Sequence, residues 1–143
     1  MINMLEVYLN FKNEAKAAIA FYETVFDVKN EGIMTFADAP ADPEHPTPEA
    51  WKDLVINSSI TIEGVPVMIS DVPEGMGLTF IEGNNVSLVI NTNDEAKIDR
   101  IFNRLAEGGK ISMPLGETFW AKKYGMVVDK FGINWMLNYS DEA

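Results

Sequence analysis

Apolar and polar side chains alternate along the first part of the chain and then change to helical spacing. Residues 5–11 alternate between the two classes, which is typical of a strand with one buried face. Residues 14–26 carry apolar side chains three and four positions apart, with Asn13 as the predicted helix cap. Further strands are predicted over residues 28–37, 53–62 and 65–71, the last two joined by a Glu63-Gly64 turn.

Four of the seven prolines lie within residues 38–51. Proline removes a backbone donor from a sheet ladder and biases its neighbours away from helix. This segment is therefore predicted to be a loop, long enough to act as a lid over a binding site.

The order of elements then repeats. A strand is predicted over residues 85–91, followed by Thr92-Asn93-Asp94-Glu95 as a capping box and by a helix that ends at Gly108-Gly109. Strands near residues 110–113, 119–128 and 133–138 complete the second half, with Asp129-Lys130-Phe131-Gly132 as a turn.

The spacing of recurring residues relates the two halves. Asn13-Glu14-Ala15-Lys16 recurs 81 positions later as Asp94-Glu95-Ala96-Lys97, and Gly64 recurs after 68 positions as Gly132. The proline loop, present only in the first half, accounts for the difference between the two offsets. The sequence predicts an α+β fold in a single domain, 1–143. It comprises module one at about 1–71, a linker at about 72–83 and module two at about 84–138, each module a βαβββ unit.

Composition excludes several classes of partner. The formal net charge is -11, whereas binding to nucleic-acid phosphates or to an anionic membrane needs clustered Lys and Arg. The absence of cysteine excludes disulfides, thiolate catalysis and Cys-based zinc sites. With neither a signal-like amino terminus nor a stretch near the ~20 apolar residues of a membrane span, the chain is predicted to be cytoplasmic.

Four short motifs resemble one known group of proteins over nearly the whole chain. They are Tyr8-Leu9-x-Phe11, Ala106-x-Gly108-Gly109-Lys110, Glu117-Thr118-Phe119-Trp120-Ala121 and Asp129-Lys130-Phe131-Gly132-x-x-Trp135-Met136. In these motifs the chain resembles the PhnB-like branch of the vicinal oxygen chelate superfamily, whose relatives include glyoxalase I, extradiol dioxygenases, and fosfomycin and bleomycin resistance proteins. PhnB-like proteins are often labelled demethylubiquinone methyltransferases. No glycine-rich nucleotide loop follows the first strand here to hold S-adenosylmethionine.

The resemblance implies the glyoxalase/bleomycin resistance/dioxygenase fold. In that fold the paired βαβββ modules form a cupped, mostly antiparallel eight-stranded sheet with the helices outside. The cup commonly lies at or near a dimer interface. We expect a homodimer, because short strands such as 65–71 leave sheet edges to cover and because the aromatic cluster around Trp120 is costly to expose.

Alternation assigns the side chains that line the cup. The all-apolar strand faces are expected to pack on the helices, and they comprise Leu5, Val7, Leu9, Val65, Val67, Ile69, Val86, Leu88, Ile90, Ile133, Trp135 and Leu137. The opposite faces combine polar and thioether groups suited to a small neutral or partly aromatic ligand. They comprise Glu6, Tyr8, Asn10, Asn57, Ser59, Thr61, Met68, Ser70, Asn85, Ser87, Val89, Asn134 and Met136.

The resemblance also implies where a metal would bind. The superfamily's ligand positions correspond here to Glu6, Met68, Asn85 and Met136. Hard ions prefer carboxylate or water oxygen, and zinc prefers imidazole or thiolate, so the sequence predicts neither a metal nor another cofactor. His45 is the single histidine and is expected to be solvated in the proline loop. Asn57 stands where PhnB-like chains often have a histidine.

Glu117 is the candidate catalytic residue. It is either a general base tuned by the neighbouring aromatic rings or an ordinary carboxylate that accepts backbone N–H groups or contacts Lys122 or Lys123. Phe119 and Trp120 either stack on a planar ligand or seal a core or dimer interface. The predicted ligand-binding residues are Glu6, Tyr8, Asn57, Ser59, Met68, Ser87, Phe119, Trp120 and Met136.

These residues leave three functions open. The favoured one is metal-free binding of a small organic molecule in the cup, under the proline loop. The alternatives are a metal-independent enzyme that uses Glu117 and a metal-dependent lyase, isomerase or dioxygenase.

Overall fold

The computed structural model describes residues 3–141, which form eight strands and two α-helices. In chain order these are β1 (Val7–Phe11), α1 (Ala15–Phe26), β2 (Asn30–Thr35), β3 (Val55–Ile62), β4 (Val65–Asp71), β5 (Leu88–Thr92), α2 (Glu95–Ala106), β6 (Lys110–Gly116), β7 (Lys123–Val128) and β8 (Asn134–Tyr139). One compact unit ends at Phe80 and the next begins at Ile81. Within the described residues, neither helix has the length and apolar character that a membrane crossing requires.

Each unit contains one four-stranded mixed sheet, and the two sheets have the same topology. Sheet one has the order β1-β4-β3-β2 and sheet two the order β5-β8-β7-β6. The first pair in each order is parallel and the other two pairs are antiparallel. The predicted α+β architecture of two βαβββ modules is confirmed.

Strand pairing repeats with the offsets that the sequence indicated. Tyr8 pairs with Met68 in sheet one, and Val89 pairs with Met136 in sheet two. The first strand of each module is thus displaced by 81 positions and the last by 68.

The prediction that strand 65–71 leaves a sheet edge to cover was wrong. β4 is an inner strand that pairs with both β1 and β3, and β1 and β2 form the edges of sheet one.

The core of each unit lies between its helix and one face of its sheet. α1 buries Ile19 and Tyr22, and α2 buries Ile98 and Phe102, as predicted. The buried strand residues on the helix side include Val67, Ile69, Ile90, Trp135 and Leu137. Leu5 and Val86 were wrongly placed in this core, because β1 and β5 begin after them and both side chains are exposed. Val65, at the start of β4, is also exposed.

The predicted helix caps were wrong in detail. Glu14, not Asn13, is the N-cap of α1 and makes no side-chain cap bond. Instead, Asp71 Oδ1 at the end of β4 accepts the Ala15 N–H at 3.0 Å, which supplies from another element the acceptor that a helix start needs. α2 is capped by Asp94, whose Oδ1 accepts the Lys97 N–H at 3.0 Å, rather than by Thr92.

The proline loop is attached at its base. Short 3₁₀ turns form at Phe36–Asp38 and Glu49–Trp51. The Trp51 indole N–H donates to the Glu74 carbonyl at 3.2 Å, and the Trp51 ring lies 5.6 Å from that of buried Phe36. These contacts fix the end of the loop to unit one.

Candidate functional site

The open face of sheet one, opposite α1, is polar and internally hydrogen-bonded. Across neighbouring strands, Tyr8, Met68, Ser59 and Gly32 occupy one row. The Tyr8 ring is 47% exposed, and its hydroxyl donates to Ser70 Oγ at 2.9 Å. Tyr8 and Ser70 on this face therefore satisfy each other.

The open face of sheet two, opposite α2, carries thioethers at the same positions. Met136 pairs with Val89 on one side and with Met126 on the other, and Met126 pairs with Met113. Three of the chain's eight methionines thus form a continuous row, which we name the methionine row (Met113, Met126, Met136). Val89, at its end, is 48% exposed.

One polar atom beside the methionine row has no hydrogen-bond partner among the described residues. Asn138 lies next to Asn91 and Tyr124 in register, and its Nδ2 donates to Asn91 Oδ1 at 3.1 Å. Its Oδ1 is buried and finds no hydrogen-bond partner among the described residues. The positions of O and N in the side-chain amides of Asn91 and Asn138 can be exchanged. Asn91 Nδ2 then donates to Asn138 Oδ1, and Asn138 Nδ2 is the atom without a partner among the described residues. In either assignment, the sheet leaves one buried polar atom for an incoming group.

The segment between β6 and β7 forms a second feature, which we name the aromatic loop (residues 117–122). The Thr118 N–H donates to the Ala121 carbonyl at 2.9 Å, and the Ala121 N–H donates to Thr118 Oγ1 at 3.0 Å. This turn exposes 98% of Phe119 and 56% of Trp120. β7 begins at Lys123, so the prediction that Phe119 and Trp120 belong to a strand was wrong.

A pocket of about 550 Å³ lies on the aromatic loop. Its lining includes Glu117, Phe119, Trp120, Lys122, Ser140 and Asp141. The Trp120 ring contacts Phe119 edge to face at 4.8 Å and Tyr124 at 5.4 Å between centroids. Because Tyr124 pairs with Asn138, the pocket lies at one end of sheet two.

The charges around the pocket are mostly paired. Lys122 bonds Asp141, and the Tyr139 hydroxyl donates to Asp141 at 2.7 Å. Both hydrogen bonds lower the pKa of Asp141 below its ordinary 3.8, and the bond from Lys122 has the larger effect. The bond to Asp141 raises the pKa of Lys122. Lys123 contacts Asp99 at 2.8 Å and Glu95 at 3.1 Å. Both lysines near exposed Glu117 thus have other carboxylate partners.

The residues at the superfamily's ligand positions do not fit a divalent cation. Met68 and Met136 offer thioethers, while Glu6 and Asn85 are exposed and precede β1 and β5. His45 is exposed and its ring contacts Asp42 at 3.2 Å. Residues 3–141 contain no group of three or more His, Cys, Asp or Glu side chains placed to hold a metal. This donor set suits soft ions better than the hard ions or zinc that carboxylate and imidazole sites hold.

The structure brings some of the predicted site residues together and separates others. Tyr8, Ser59 and Met68 are neighbours in sheet one, with exposed Asn57 one position along the same face. Glu117, Phe119 and Trp120 share the pocket. Glu6 and half-buried Ser87 precede their strands.

Sequence reasoning missed Met113, Met126, Tyr124 and Asn138. Alternation along β7 and β8 would have placed the last three on the open face, but the pairing of Met113 depends on a register shift between β6 and β7.

Comparison with known proteins identifies the family. The family model described as 3-demethylubiquinone-9 3-methyltransferase matches residues 3–138. Protein YjdN of Escherichia coli is 31% identical over 141 residues, covering 94% of this chain and 93% of that protein.

Solved structures agree with this family and with its fold. A Pseudomonas aeruginosa protein is 32% identical with a TM-score of 0.81, covering 96% of this chain and 98% of that one. A Bacillus cereus PhnB protein, described as a putative 3-demethylubiquinone-9 3-methyltransferase, is 29% identical with a TM-score of 0.76, covering 96% and 100%. The fosfomycin resistance protein FosX of Listeria monocytogenes shares the fold at 15% identity and a TM-score of 0.62, covering 98% and 94%.

The family description names a methyltransferase, and S-adenosylmethionine is the usual methyl donor of such enzymes. β1 runs into α1 through Lys12-Asn13-Glu14, and the first glycine of the chain is Gly32. These residues do not fit a glycine-rich nucleotide site after the first strand. The topology, the motifs and the matches over almost the full length together show that the chain belongs to the 3-demethylubiquinone-9 3-methyltransferase family, within the PhnB-like branch of the vicinal oxygen chelate superfamily.

Proposed function

We propose that the protein binds a small, flat organic molecule on the open face of sheet two, without a metal. The methionine row is the observation that carries this proposal. Thioether side chains are flexible and polarisable, and they make favourable contacts with aromatic rings. A continuous row of three, with Val89 at its end, is an apolar surface that can adapt to a planar ligand.

Asn138 supplies the polar contact of the proposed site. Its buried Oδ1 has no partner among the described residues, and leaving such an acceptor unpaired costs about 1–3 kcal/mol. Because this atom has almost no accessible surface, a ligand with one N–H or O–H donor recovers that free energy once the Asn138 side chain turns toward it. An apolar wall with one or two placed polar groups is typical of small-molecule sites.

Sheet one offers a more polar surface, to which we assign the predicted contacts of Tyr8, Asn57, Ser59 and Met68. Because Tyr8 already bonds Ser70, a ligand gains less there from a new hydrogen bond. We therefore rank this face second.

Methionine-methyl NMR tests the proposal directly. Uniform ¹³C-methyl labelling and Met→Leu variants assign the resonances, and planar heteroaromatic compounds with and without an N–H donor serve as probes. We expect a binding probe to shift Met113, Met126 and Met136 but not Met76, which lies outside the strands. Asn138→Leu should weaken donor-bearing probes about tenfold and leave the others unchanged.

Two results would overturn the proposal. One is a panel in which every binding probe shifts Met34 and Met68 of sheet one instead. The other is binding that requires Mn²⁺ or Zn²⁺ and is lost with a chelator.

A metal-independent enzyme is the alternative that we propose for the same protein. It is favoured by the position of Glu117 in the pocket wall beside Trp120, with both nearby lysines bonded to other carboxylates. In this alternative Glu117→Gln abolishes turnover of any substrate and leaves binding to the methionine row unchanged. Equal turnover by Glu117→Gln and wild type contradicts it.

The proposal includes a homodimer, as the family resemblance implies. Its support is the amount of apolar surface that the described chain leaves exposed, including Leu5 (99%), Ile81 (82%) and Val86. Sedimentation at micromolar concentration should give twice the 15.9 kDa chain mass, and a monomer would contradict this part.

A further inference from the structure

The aromatic loop and Tyr124, which follows it in β7, present three rings in a chain of edge-to-face contacts. Phe119 contacts Trp120, and Trp120 contacts Tyr124, at interplanar angles of 83° and 70°. The two hydrogen bonds between Thr118 and Ala121 hold the turn that carries the first two rings. A defined backbone turn therefore holds Phe119 and Trp120 in the pocket wall.

The rings carry more exposed apolar surface than folding explains. Phe119 is almost fully exposed, and over half of Trp120 is exposed. The pocket beside them is large enough for a molecule of several heavy atoms, with Ser140 and Asp141 on its other side. This combination of exposed rings and a pocket points to a ligand rather than to a core.

Among the described residues that line the pocket, Glu117 supplies the charge that no lysine offsets. Lys122 is bonded to Asp141, which also accepts from Tyr139, and Lys123 is bonded to Asp99 and Glu95. The Lys122 and Asp141 charges offset each other, so the pocket has a net charge of about -1 that belongs to Glu117. The chain as a whole is also strongly acidic, which attracts cations.

We propose that this pocket binds a small organic cation, such as a trimethylammonium compound or a protonated amine. The cationic group lies against the faces of Trp120 and Phe119, opposite the Glu117 carboxylate, and the rest of the molecule extends toward Ser140. Aromatic faces attract cations through the ring quadrupole, and Trp is the strongest of the three ring types. A nearby carboxylate adds an attraction that no neutral ligand shares.

This site uses different side chains from the methionine row, so it goes beyond the proposed function. The two proposals can therefore fail separately. If no probe shifts the methyl resonances of the methionine row, the proposed function fails and the cation-site proposal is unaffected.

Indole N–H NMR gives a resolved readout. Choline is the probe, and 3,3-dimethylbutan-1-ol is its neutral isostere. The indoles of Trp51 and Trp135 donate to Glu74 and Asp129 and serve as internal controls. We expect choline to shift the Trp120 resonance alone, and the alcohol to bind at least fivefold more weakly.

Two matched variants distinguish the effect of the Glu117 charge in the pocket from the effect of the net negative charge of the whole chain. Glu117→Gln should weaken choline about fivefold and leave the alcohol unchanged. Glu107→Gln removes the same charge from the end of α2 and should change neither. Trp120→Leu should abolish choline binding, measured by isothermal titration calorimetry because this variant lacks the reporting indole, and unchanged Trp135 resonances confirm that each variant is folded.

Three outcomes would overturn the inference. The first is equal affinity for choline and the alcohol, which indicates simple apolar binding. The second is the same effect from Glu117→Gln as from Glu107→Gln, which indicates a long-range field. The third is no Trp120 shift at saturating choline, as occurs when a second copy of the chain covers the loop.

Discussion

The two modules place different chemistry on the same backbone frame. Strand order and pairing register are equivalent in sheets one and two. At equivalent positions, sheet one has Tyr8 bonded to Ser70, whereas sheet two has Val89 and a half-paired Asn138. Because Val89 has no hydroxyl to bond Asn138, the open face of sheet two keeps the Asn138 amide oxygen available for a ligand. The same strand arrangement thus carries a paired tyrosine and serine in one module and, among the described residues, a half-paired asparagine in the other.

The modules also differ in where each one buries a carboxylate. Asp71 in module one accepts the N–H groups of Ala15 and Val55 and so links α1, β3 and β4. Asp129 in module two accepts from Phe131, Ile133 and the Trp135 indole, which lie in the turn after β7 and in the first residues of β8. The first carboxylate joins three elements, and the second stabilises the Asp129–Gly132 turn of the sequence motif.

Removing these carboxylates should produce the largest effects. Asp129→Ala removes the acceptor of three hydrogen bonds, one of them from a fully buried Trp, and should lower the free energy of unfolding by about 3 kcal/mol. Asp71→Ala removes the acceptor of two such bonds and should lower it by about 2 kcal/mol. Urea unfolding followed by circular dichroism measures both values.

Exposed Asp53 is the matched control for this pair. Asp53→Ala should change the unfolding free energy by less than about 0.5 kcal/mol. A larger loss from Asp71→Ala than from Asp129→Ala would show that linking elements matters more than the number of donors.

Exchanging the two faces should produce a smaller effect on stability. Val89→Tyr with Asn138→Ser copies the Tyr8–Ser70 pair into module two and removes the unpaired polar atom, so stability should rise by about 1 kcal/mol. Binding of donor-bearing probes to the methionine row should be lost. The reciprocal change, Tyr8→Val with Ser70→Asn, should lower stability by a similar amount.

The control for the exchange is Val89→Phe with Asn138→Ser, which adds the ring without the hydroxyl. If this variant is as stable as the one with tyrosine, the hydroxyl pair does not explain the difference between the faces.

Acid titration should reveal the smallest difference. Each compact unit has an exposed Asp with a lowered pKa. The pKa of Asp38 is lowered by the Thr35 backbone N–H and then by the Thr35 hydroxyl, and that of Asp141 by Lys122 and then by Tyr139. A carboxyl whose pKa is lower in the folded chain contributes stability above its ordinary 3.8, and this contribution is lost as pH falls through the folded value. Stability should therefore decline on acidification below about pH 5.

Salt distinguishes the two causes. Carboxyl ¹³C titration by NMR should show the Asp141 midpoint rising toward its ordinary value at about 1 M salt, because its first partner is a cation. Asp38, held chiefly by a backbone donor, should titrate unchanged. Equal movement of both midpoints would contradict this assignment.

Local sequence patterns predicted the elements better than their ends or caps. Alternation placed Trp135 in the core and Tyr8 on the open face, and both are found there. It wrongly extended β7 back to Phe119, because an aromatic run has high strand propensity whether or not a partner strand pairs with it. The cap of α1 was missed because its acceptor, Asp71, lies 56 residues away from Ala15.

The candidate site was only partly predictable. Met68 and Met136 were identified by counting from the turns, because a strand alternates with a period of two. Met113 and Met126 were missed, since their alignment depends on irregular pairing between β6 and β7. The functional roles of Glu117, Phe119 and Trp120 stay predictions, although the structure places all three in one pocket.

The sequence by itself determined the two-module organisation, the identity of the helices and strands, and the class of side chain on each strand face. These follow from periodicity and from recurring residues, which are local properties of the chain. Only the tertiary structure decided that three methionines separated in sequence lie in one row, that Asn138 keeps an unpaired atom, and that Lys122 and Lys123 bond to carboxylates other than Glu117. Each of these depends on hydrogen bonding and pairing between distant segments, which is fixed only when the strands align and the side chains pack.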